Sequence, residues 1–142
     1  MKIAIINGPN LNLLGKRETD IYGIESFDTY LEELKADYPT IDISYFQSNI
    51  EGELIDEIQR VGFSVDGIIF NPGGYTHTSV AIGDAIAAIK VPLVEVHISN
   101  IFGREEFRKL SHVSAKAAGV ISGLGLKGYE LALLYLQEKS KV

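Results

Sequence analysis

The sequence predicts an α/β protein in which helices cover both faces of a parallel sheet. Short apolar runs rich in β-branched residues alternate five times with stretches of helical periodicity. Strands that are joined through helices run parallel, because the helix carries the chain back to the edge where it started. The 142 residues, 46% of them hydrophobic, are enough for one domain with a substantial core.

The first strand and the first helix are marked by residue type and periodicity. The β-branched run Lys2–Asn7 predicts the strand, while Ser26 is a suitable N-cap for the helix and Pro39 marks its end. The stretch Gly8–Glu25 between them is rich in glycine, and we expect an irregular lid there. The apolar residues of the helix recur near every 3.6 positions and are Phe27, Tyr30, Leu31, Leu34 and Tyr38.

The middle of the chain repeats this pattern twice. The alternating segment Ile41–Gln47 predicts the second strand, and a helix follows that Gly62 should stop. The apolar run Gly67–Phe70 predicts the third strand, and Ser79–Ile89 predicts a third helix that ends before Pro92. The apolar stripe of the second helix consists of Leu54, Ile55, Ile58 and Val61.

The last third of the chain completes the sheet. We expect strands at Leu93–Ile98 and Ala117–Ser122, a short charged helix around Arg104–Leu110 and a final helix over Tyr129–Glu138. Right-handed crossovers and this chain length favour the flavodoxin-like strand order 2-1-3-4-5, with residues 1–142 as a single domain.

The composition excludes several classes of function. A formal net charge of −6 argues against nucleic acid or an anionic membrane as partner, since both attract basic surfaces. The chain has no cysteine, which excludes disulfides, thiol chemistry and cysteine-ligated metals. It shows no signal peptide and no apolar run of membrane-spanning length, so we expect a soluble cytoplasmic protein.

The most informative motif is Asn71-Pro72-Gly73-Gly74-Tyr75-Thr76-His77-Thr78-Ser79. It lies where the third strand passes into a helix. Open α/β sheets bind ligands at the carboxyl ends of their strands, so the amide of Asn71 and the imidazole of His77 are candidate site residues.

The fourth strand ends in a second polar cluster. Alternation along the strand puts Glu95 and His97 on one face, with Val94 and Val96 on the other. A buried carboxylate needs a partner, and His97 is suitably spaced to be one. A purely structural pair is the alternative, but the strand-end position favours a general acid whose imidazole is oriented by Glu95.

The Gly8–Glu25 stretch contains an arginine and a tyrosine five positions apart. Ionising a free tyrosine at pH 7 costs about 4 kcal/mol. A guanidinium about 4 Å away returns roughly that amount at an effective dielectric constant of about 20. Arg17 would therefore make Tyr22 a usable base, although a surface tyrosine beside a solvated arginine remains the alternative.

The segments after the fourth and fifth strands carry weaker signals. The charged patch Arg104–Lys109 is typical of a solvated face, and Arg108 is its member that we would place at the site. The pattern Gly123–Gly128 matches a dinucleotide fingerprint but lacks the following strand with an acidic residue, so we expect these glycines to pack a strand against the last helix. His112 stands apart and is expected at the surface, and the histidines lack metal-ligand spacing.

Taken together, these blocks resemble the type II 3-dehydroquinate dehydratases over nearly the whole chain. The resemblance is carried by the segments 7–15, 17–18, 22–23, 71–79, 95–100 and 104–108. It implies a flavodoxin-like fold and reversible dehydration of 3-dehydroquinate to 3-dehydroshikimate, without cofactor or metal. It also implies assembly of trimers into a homododecamer.

The same resemblance implies a role for each candidate residue. Tyr22 as phenolate removes a proton next to the ketone, helped by Arg17, and an enolate forms that is stabilised by a water held by Asn10. His97, backed by Glu95, protonates the departing hydroxyl. The implied substrate contacts are the side chains of Asn71, His77 and Arg108, the backbone amides of Ile98 and Ser99, and Asp84 reaching a neighbouring subunit's site.

Rival functions require features that the sequence does not carry. An FMN-binding module needs a Ser/Thr-rich loop after the first strand, and a phospho-receiver needs acidic residues where Asn7 and Asn71 stand. A dehydratase that works through a lysine Schiff base needs a lysine in the strand-end clusters. A non-catalytic flavodoxin-like ligand-binding module is the remaining alternative.

Overall fold

The computed structural model describes residues 1–142 and contains one five-stranded parallel sheet with the order β2-β1-β3-β4-β5. The predicted fold class and strand order are confirmed. The strands are β1 (Lys2–Asn7), β2 (Asp42–Gln47), β3 (Gly67–Asn71), β4 (Leu93–His97) and β5 (Gly119–Ser122).

Five α-helices and four 3-10 turns connect the strands. The helices are α1 (Thr19–Tyr22), α2 (Phe27–Asp37), α3 (Glu51–Val61), α4 (Val80–Ala88) and α5 (Lys127–Ser140). The 3-10 turns are Leu11–Leu13, Gly73–His77, Ile101–Gly103 and Glu106–Lys109. Gly8–Glu25 is therefore less irregular than the sequence suggested, and the predicted charged helix is reduced to the turn Glu106–Lys109.

Strand alternation divides the core into two layers. Ile3 and Ile5 of β1 point towards α2 and α5, whereas Ala4 and Ile6 point towards α3 and α4. Both faces of β1 are thus buried, as is typical of parallel sheets that are covered on both sides. None of the helices combines the length and apolarity that a bilayer crossing requires.

Helix boundaries follow local hydrogen bonds and packing. The Ser26 hydroxyl accepts a hydrogen bond from the Thr29 amide at 3.2 Å, which is the expected N-cap of α2. Gly62 follows α3 with a φ of −62°, so it does not end the helix through left-handed backbone. A Cβ at this position would lie 2.2 Å from the Ile89 side chain, which shows that a glycine at position 62 allows close packing against the end of α4.

The carboxyl ends of β1 and β3 are tied together at the point where strand order reverses. Asn7 and Asn71 are register partners, and the Gly8 amide donates to the Asn71 carbonyl at 2.7 Å. A Cβ on Gly8 would lie 2.6 Å from the Pro72 carbonyl oxygen, so only glycine allows the two loops to approach this closely. This edge is where ligands of open α/β sheets bind.

Candidate active site

A cavity of about 180 Å³ lies at the carboxyl ends of β1, β3 and β4. The cavity is lined by residues of three segments, namely the predicted lid segment Gly8–Glu25, the turn after β3 and the loop after β4. Nine of the residues singled out in the sequence line it, namely Asn10, Arg17, Tyr22, Asn71, His77, His97, Ile98, Ser99 and Arg108. Tyr22 and His97 therefore share one cavity although 75 positions separate them in the sequence.

Glu95 lies directly beneath the cavity and is completely buried. Its Oε2 accepts hydrogen bonds from the Nε2 atom of His97 and from the Thr76 hydroxyl at 2.8 Å, and its Oε1 accepts from the Ser114 hydroxyl at 2.7 Å. Burial acts to raise the pKa of the Glu95 carboxyl, but the hydrogen bonds from His97, Ser114 and Thr76 outweigh it and hold the pKa below its ordinary value. The group beneath His97 is therefore a carboxylate.

The hydroxyl groups around Glu95 have a fixed direction. Ser111 Oγ lies 2.7 Å from Thr76 Oγ1 and accepts the backbone amides of Val113 and Ser114 at 3.1 and 3.0 Å. The single hydroxyl proton of Thr76 is committed to Glu95, so the Ser111 hydroxyl must donate to Thr76. Successive hydrogen bonds polarise one another, so the O–H groups of Ser111 and Thr76 both direct their positive ends along the chain towards the Glu95 carboxylate.

His77 is oriented by the loop that precedes β5. Its Nδ1 lies 2.7 Å from the Leu110 carbonyl oxygen, which can only accept, so Nδ1 carries the proton. Burial lowers the pKa of His77, assisted by the neighbouring His97 and Arg108, although the bond to Leu110 opposes this. His77 is therefore neutral near pH 7 and offers Nε2 as a hydrogen-bond acceptor.

Two arginines surround Tyr22. Arg104 Nη1 donates hydrogen bonds to the Tyr22 hydroxyl and to Ser99 Oγ, both at 3.0 Å. The Arg17 guanidinium lies 4.9 Å from the centroid of the Tyr22 ring and forms an ion pair with Glu18 at 2.6 Å. The sequence interpretation assigned Arg104 to a solvated face and so missed it, because nothing in the spacing shows that this turn approaches the lid.

Asn10 is held in an unusual backbone conformation. Its φ of 70° lies in the left-handed region, which asparagine tolerates better than most residues. The backbone N–H of Asn10 donates to Asn49 Oδ1 at 3.0 Å, and its backbone carbonyl accepts from the Leu13 N–H at 3.0 Å. Both ends of the peptide are thus fixed, while the side chain lines the cavity.

The candidate Asp84 and two residues that the sequence analysis placed outside the site, His112 and Gly128, lie apart from this arrangement. Asp84 is exposed on α4 and does not line the cavity. His112 is half-buried rather than exposed as expected, because its backbone amide donates to Thr76 at 2.8 Å and its carbonyl packs against Gly83. Gly128 packs α5 against Val96 of β4 and Ile121 of β5, as the sequence predicted.

The loop after β5 is bonded directly to the site. The amides of Gly123 and Gly125 donate to the carbonyls of His97 and Ile98 at 3.1 and 3.0 Å, which fixes the strand end that carries the imidazole. A Cβ on Gly123 would lie 2.9 Å from the Cβ of Asn100. The sequence pattern that resembles a nucleotide loop thus serves to hold the end of β4.

The charge of the cavity is opposite to that of the whole protein. Arg17, Arg104 and Arg108 line it, whereas Glu18 is the single carboxylate in its lining. An anionic ligand is therefore attracted to this site despite the net charge of −6. No three histidine or carboxylate side chains cluster closely enough to hold a metal ion.

Comparison with known proteins places this arrangement in a wider group. The profile described as dehydroquinase class II matches residues 1–137. The 3-dehydroquinate dehydratase of Caldicellulosiruptor saccharolyticus is 54% identical over 140 residues, covering 96% of this chain and 97% of the relative. The corresponding Fusobacterium nucleatum protein is 54% identical over 144 residues, with 97% of each chain covered. The crystal structure of a type II dehydroquinase from Butyrivibrio crossotus superimposes with a TM-score of 0.93 at 47% identity, covering 96% of this chain and 97% of the other.

Proposed function

The chain belongs to the class II dehydroquinase family and is a 3-dehydroquinate dehydratase, and we propose that it removes water through an enolate, with Tyr22 as the base and His97 as the general acid. The observation that carries this proposal is the shared cavity in which Arg104 donates to the Tyr22 hydroxyl and Glu95 holds His97. One group is thereby suited to lose a proton and the other to supply one.

The first step is removal of a proton from the carbon next to the ketone. A phenolate at Tyr22 accepts the hydrogen bond of Arg104 more strongly than a phenol does, because the acceptor is charged. Arg17 adds positive charge over the ring face. Both guanidiniums therefore favour the basic form of Tyr22.

The enolate that results carries negative charge on the former ketone oxygen. Asn10, with its backbone fixed at both ends, is placed to hold a water that donates to this oxygen. A donor that is already oriented stabilises the developing charge without reorganising during the reaction.

The second step expels the hydroxyl group in the β position as water. His97 gives its proton to this hydroxyl, and the carboxylate of Glu95 stabilises the positive imidazolium beforehand. The hydrogen bonds from Thr76 and Ser114 keep Glu95 charged, so it does not compete for the proton that the leaving group needs.

Substrate binding uses the rest of the cavity lining. Asn71, neutral His77 and Arg108 contact the substrate hydroxyls, and the backbone amides of Ile98 and Ser99 receive its carboxylate. The latter segment is fixed by bonds from Gly125 to the Ile98 carbonyl and from Ser122 to the Ser99 carbonyl, at 3.0 and 3.2 Å. The positive charge of the cavity favours the same anionic substrate.

We further propose that the subunits assemble into trimers and these into a homododecamer, in which Asp84 completes the site of a neighbour. Asp84 is exposed on α4, outside the cavity of its own chain. Large apolar side chains such as Phe102, Phe107 and Leu110 are more than half exposed near the cavity, which is typical of surfaces that pack against another subunit.

The decisive experiment adds 3-dehydroquinate to the purified protein and follows the ultraviolet absorbance of the conjugated enone product. Tyr22→Phe and His97→Ala should each abolish turnover while substrate binding, measured by calorimetry, persists. Wild-type rates in either variant would remove that residue from the mechanism.

A control separates this scheme from a Schiff-base dehydratase. No lysine lines the cavity, so borohydride reduction in the presence of substrate should leave the mass of the protein unchanged. A covalent adduct would exclude the phenolate mechanism.

A further inference from the structure

Tyr129 on α5 is completely buried, yet its hydroxyl joins two asparagines at the edge of the site. The hydroxyl donates to Asn7 Oδ1 at 2.7 Å and accepts a hydrogen bond from Asn71 Nδ2 at 3.0 Å. Asn7 and Asn71 are the register partners that end β1 and β3. We call this Asn71–Tyr129–Asn7 chain the hydroxyl bridge.

The hydroxyl bridge fixes the orientation of the Asn71 amide. Asn71 Oδ1 accepts the Gly73 amide at 3.1 Å, so its nitrogen must face Tyr129. Burial raises the pKa of Tyr129, so its hydroxyl keeps the proton that it donates to Asn7. The Asn71 side chain is left with one N–H and one oxygen lone pair uncommitted, and Asn71 is one of the residues that line the cavity.

The packing of the ring alone does not explain a tyrosine at this position. The ring packs among Phe27, Tyr30 and other apolar residues, where phenylalanine would fill nearly the same volume. A buried hydroxyl that merely filled space would cost free energy unless it were hydrogen-bonded. Both of its bonds lead to strand-end asparagines, and one of these lines the site.

We infer that Tyr129 is a positioning residue for substrate binding, which holds the Asn71 amide in the orientation that receives a substrate hydroxyl. This inference rests on the proposed contact between Asn71 and substrate. Because such a contact forms in the bound substrate and persists in the transition state, its loss raises KM and leaves kcat nearly unchanged.

The test compares Tyr129→Phe with Tyr30→Phe. The two rings are neighbours at 6.1 Å, and the Tyr30 hydroxyl is buried without a hydrogen-bond partner, which makes Tyr30→Phe a matched control. Tyr129→Phe should raise KM about threefold to tenfold with kcat within about twofold, as expected for loss of one oriented hydrogen bond. Tyr30→Phe should leave both constants unchanged.

A double-mutant cycle with Asn71→Ala shows whether the effect passes through Asn71. The double variant Tyr129→Phe/Asn71→Ala should have the KM of Asn71→Ala alone, because Tyr129 then has no amide to orient. Additive effects would overturn the inference, as would a Tyr129→Phe enzyme that has a lower Tm but an unchanged KM.

The cycle also separates failure of the inference from failure of the proposed function. A raised KM in Asn71→Ala together with a normal KM in Tyr129→Phe would reject only the positioning role. A normal KM in Asn71→Ala would reject the proposed contact and the inference with it. If Tyr129→Phe does not fold, the test uses Asn7→Ala, which removes the acceptor that orients the Tyr129 hydroxyl. The inference then requires that Asn7→Ala raises KM.

Discussion

Arg104 Nη1 donates a hydrogen bond to the Tyr22 hydroxyl at 3.0 Å, although 82 positions separate the two residues in the sequence. The turn that follows β4 is thereby joined to the lid segment that follows β1. The lid arginine, Arg17, lies over the ring of Tyr22 and forms an ion pair with Glu18. Arg104 lies over the same ring at 5.7 Å from its centroid, so it combines this contact with the hydrogen bond to the hydroxyl.

Arg104→Gln should reduce kcat by at least about a hundredfold, because it removes the charged donor from the oxygen that becomes negative in the proposed mechanism. Arg104→Lys should retain more activity than Arg104→Gln because it keeps the charge. The check is kcat for the wild type and both variants at about pH 7.

Arg17→Gln is the matched comparison and should lower kcat less than Arg104→Gln does, because the Arg17 guanidinium contacts the ring face. A wild-type kcat in Arg104→Gln would show that its bond to Tyr22 plays no part in catalysis.

Ser114→Ala should destabilise the protein by about 1–3 kcal/mol near pH 7, since it removes a donor from the buried Glu95 carboxylate. The folded-state pKa of Glu95 lies below 4.5, so its contribution to stability is present above that pH and is lost as the pH falls through the folded value. The difference between wild type and variant should therefore shrink in acid. Urea unfolding at about pH 7 and at a series of pH values below 4.5 measures it.

Ser64→Ala is a suitable control for this comparison, because the Ser64 hydroxyl contacts only the Val61 carbonyl at 3.4 Å. A destabilisation by Ser114→Ala that stays the same through the whole acid series, until the wild type itself unfolds, would mean that Ser114 does not bond a charged Glu95.

His77 should make the wild-type protein less stable as the pH falls below 6.5. Its folded-state pKa is lowered, so the unfolded chain binds more protons between the folded value and 6.5, and stability declines through that window. One group contributes a slope of at most about 1.4 kcal/mol per pH unit. Urea unfolding of wild type and His77→Gln across this range should show the slope in wild type alone, and equal slopes would contradict the lowered pKa.

Mixed assemblies test whether Asp84 serves a neighbouring subunit. Tyr22→Phe and Asp84→Ala should each be inactive as homo-oligomers. If the two are unfolded and refolded together in equal amounts, about a quarter of the sites should pair an intact Tyr22 with an intact Asp84 in a closed symmetric assembly. Activity that stays at the level of the separate variants, with assembly verified by light scattering, would contradict the shared site.

The fold was largely predictable because its signals are local. The Ser26 cap, the alternation in β2 and the apolar stripe of α3 each depend on a few neighbouring residues, and each produced the expected element. The end of α3 at Gly62 was predicted correctly, but the reason for a glycine there was not, because the close contact involves Ile89, far away in the sequence.

The candidate site was predictable where residues cluster at strand ends and unpredictable where loops meet. Asn71 and His97 end strands and His77 ends the turn after β3, and parallel topology brings these positions together. Arg104 reaches Tyr22, and Ser114 reaches Glu95, only through the paths of two connecting loops. Side-chain identity alone carries no information about such paths.

The Glu95 carboxylate is held by hydroxyls from two separate connections, with Thr76 after β3 and Ser114 before β5. Transplanting the Glu95–His97 pair alone onto another scaffold would therefore supply the acid without the groups that keep its partner charged. A designer who wished to reuse this dyad would have to carry over both loops, together with Ser111, as one unit.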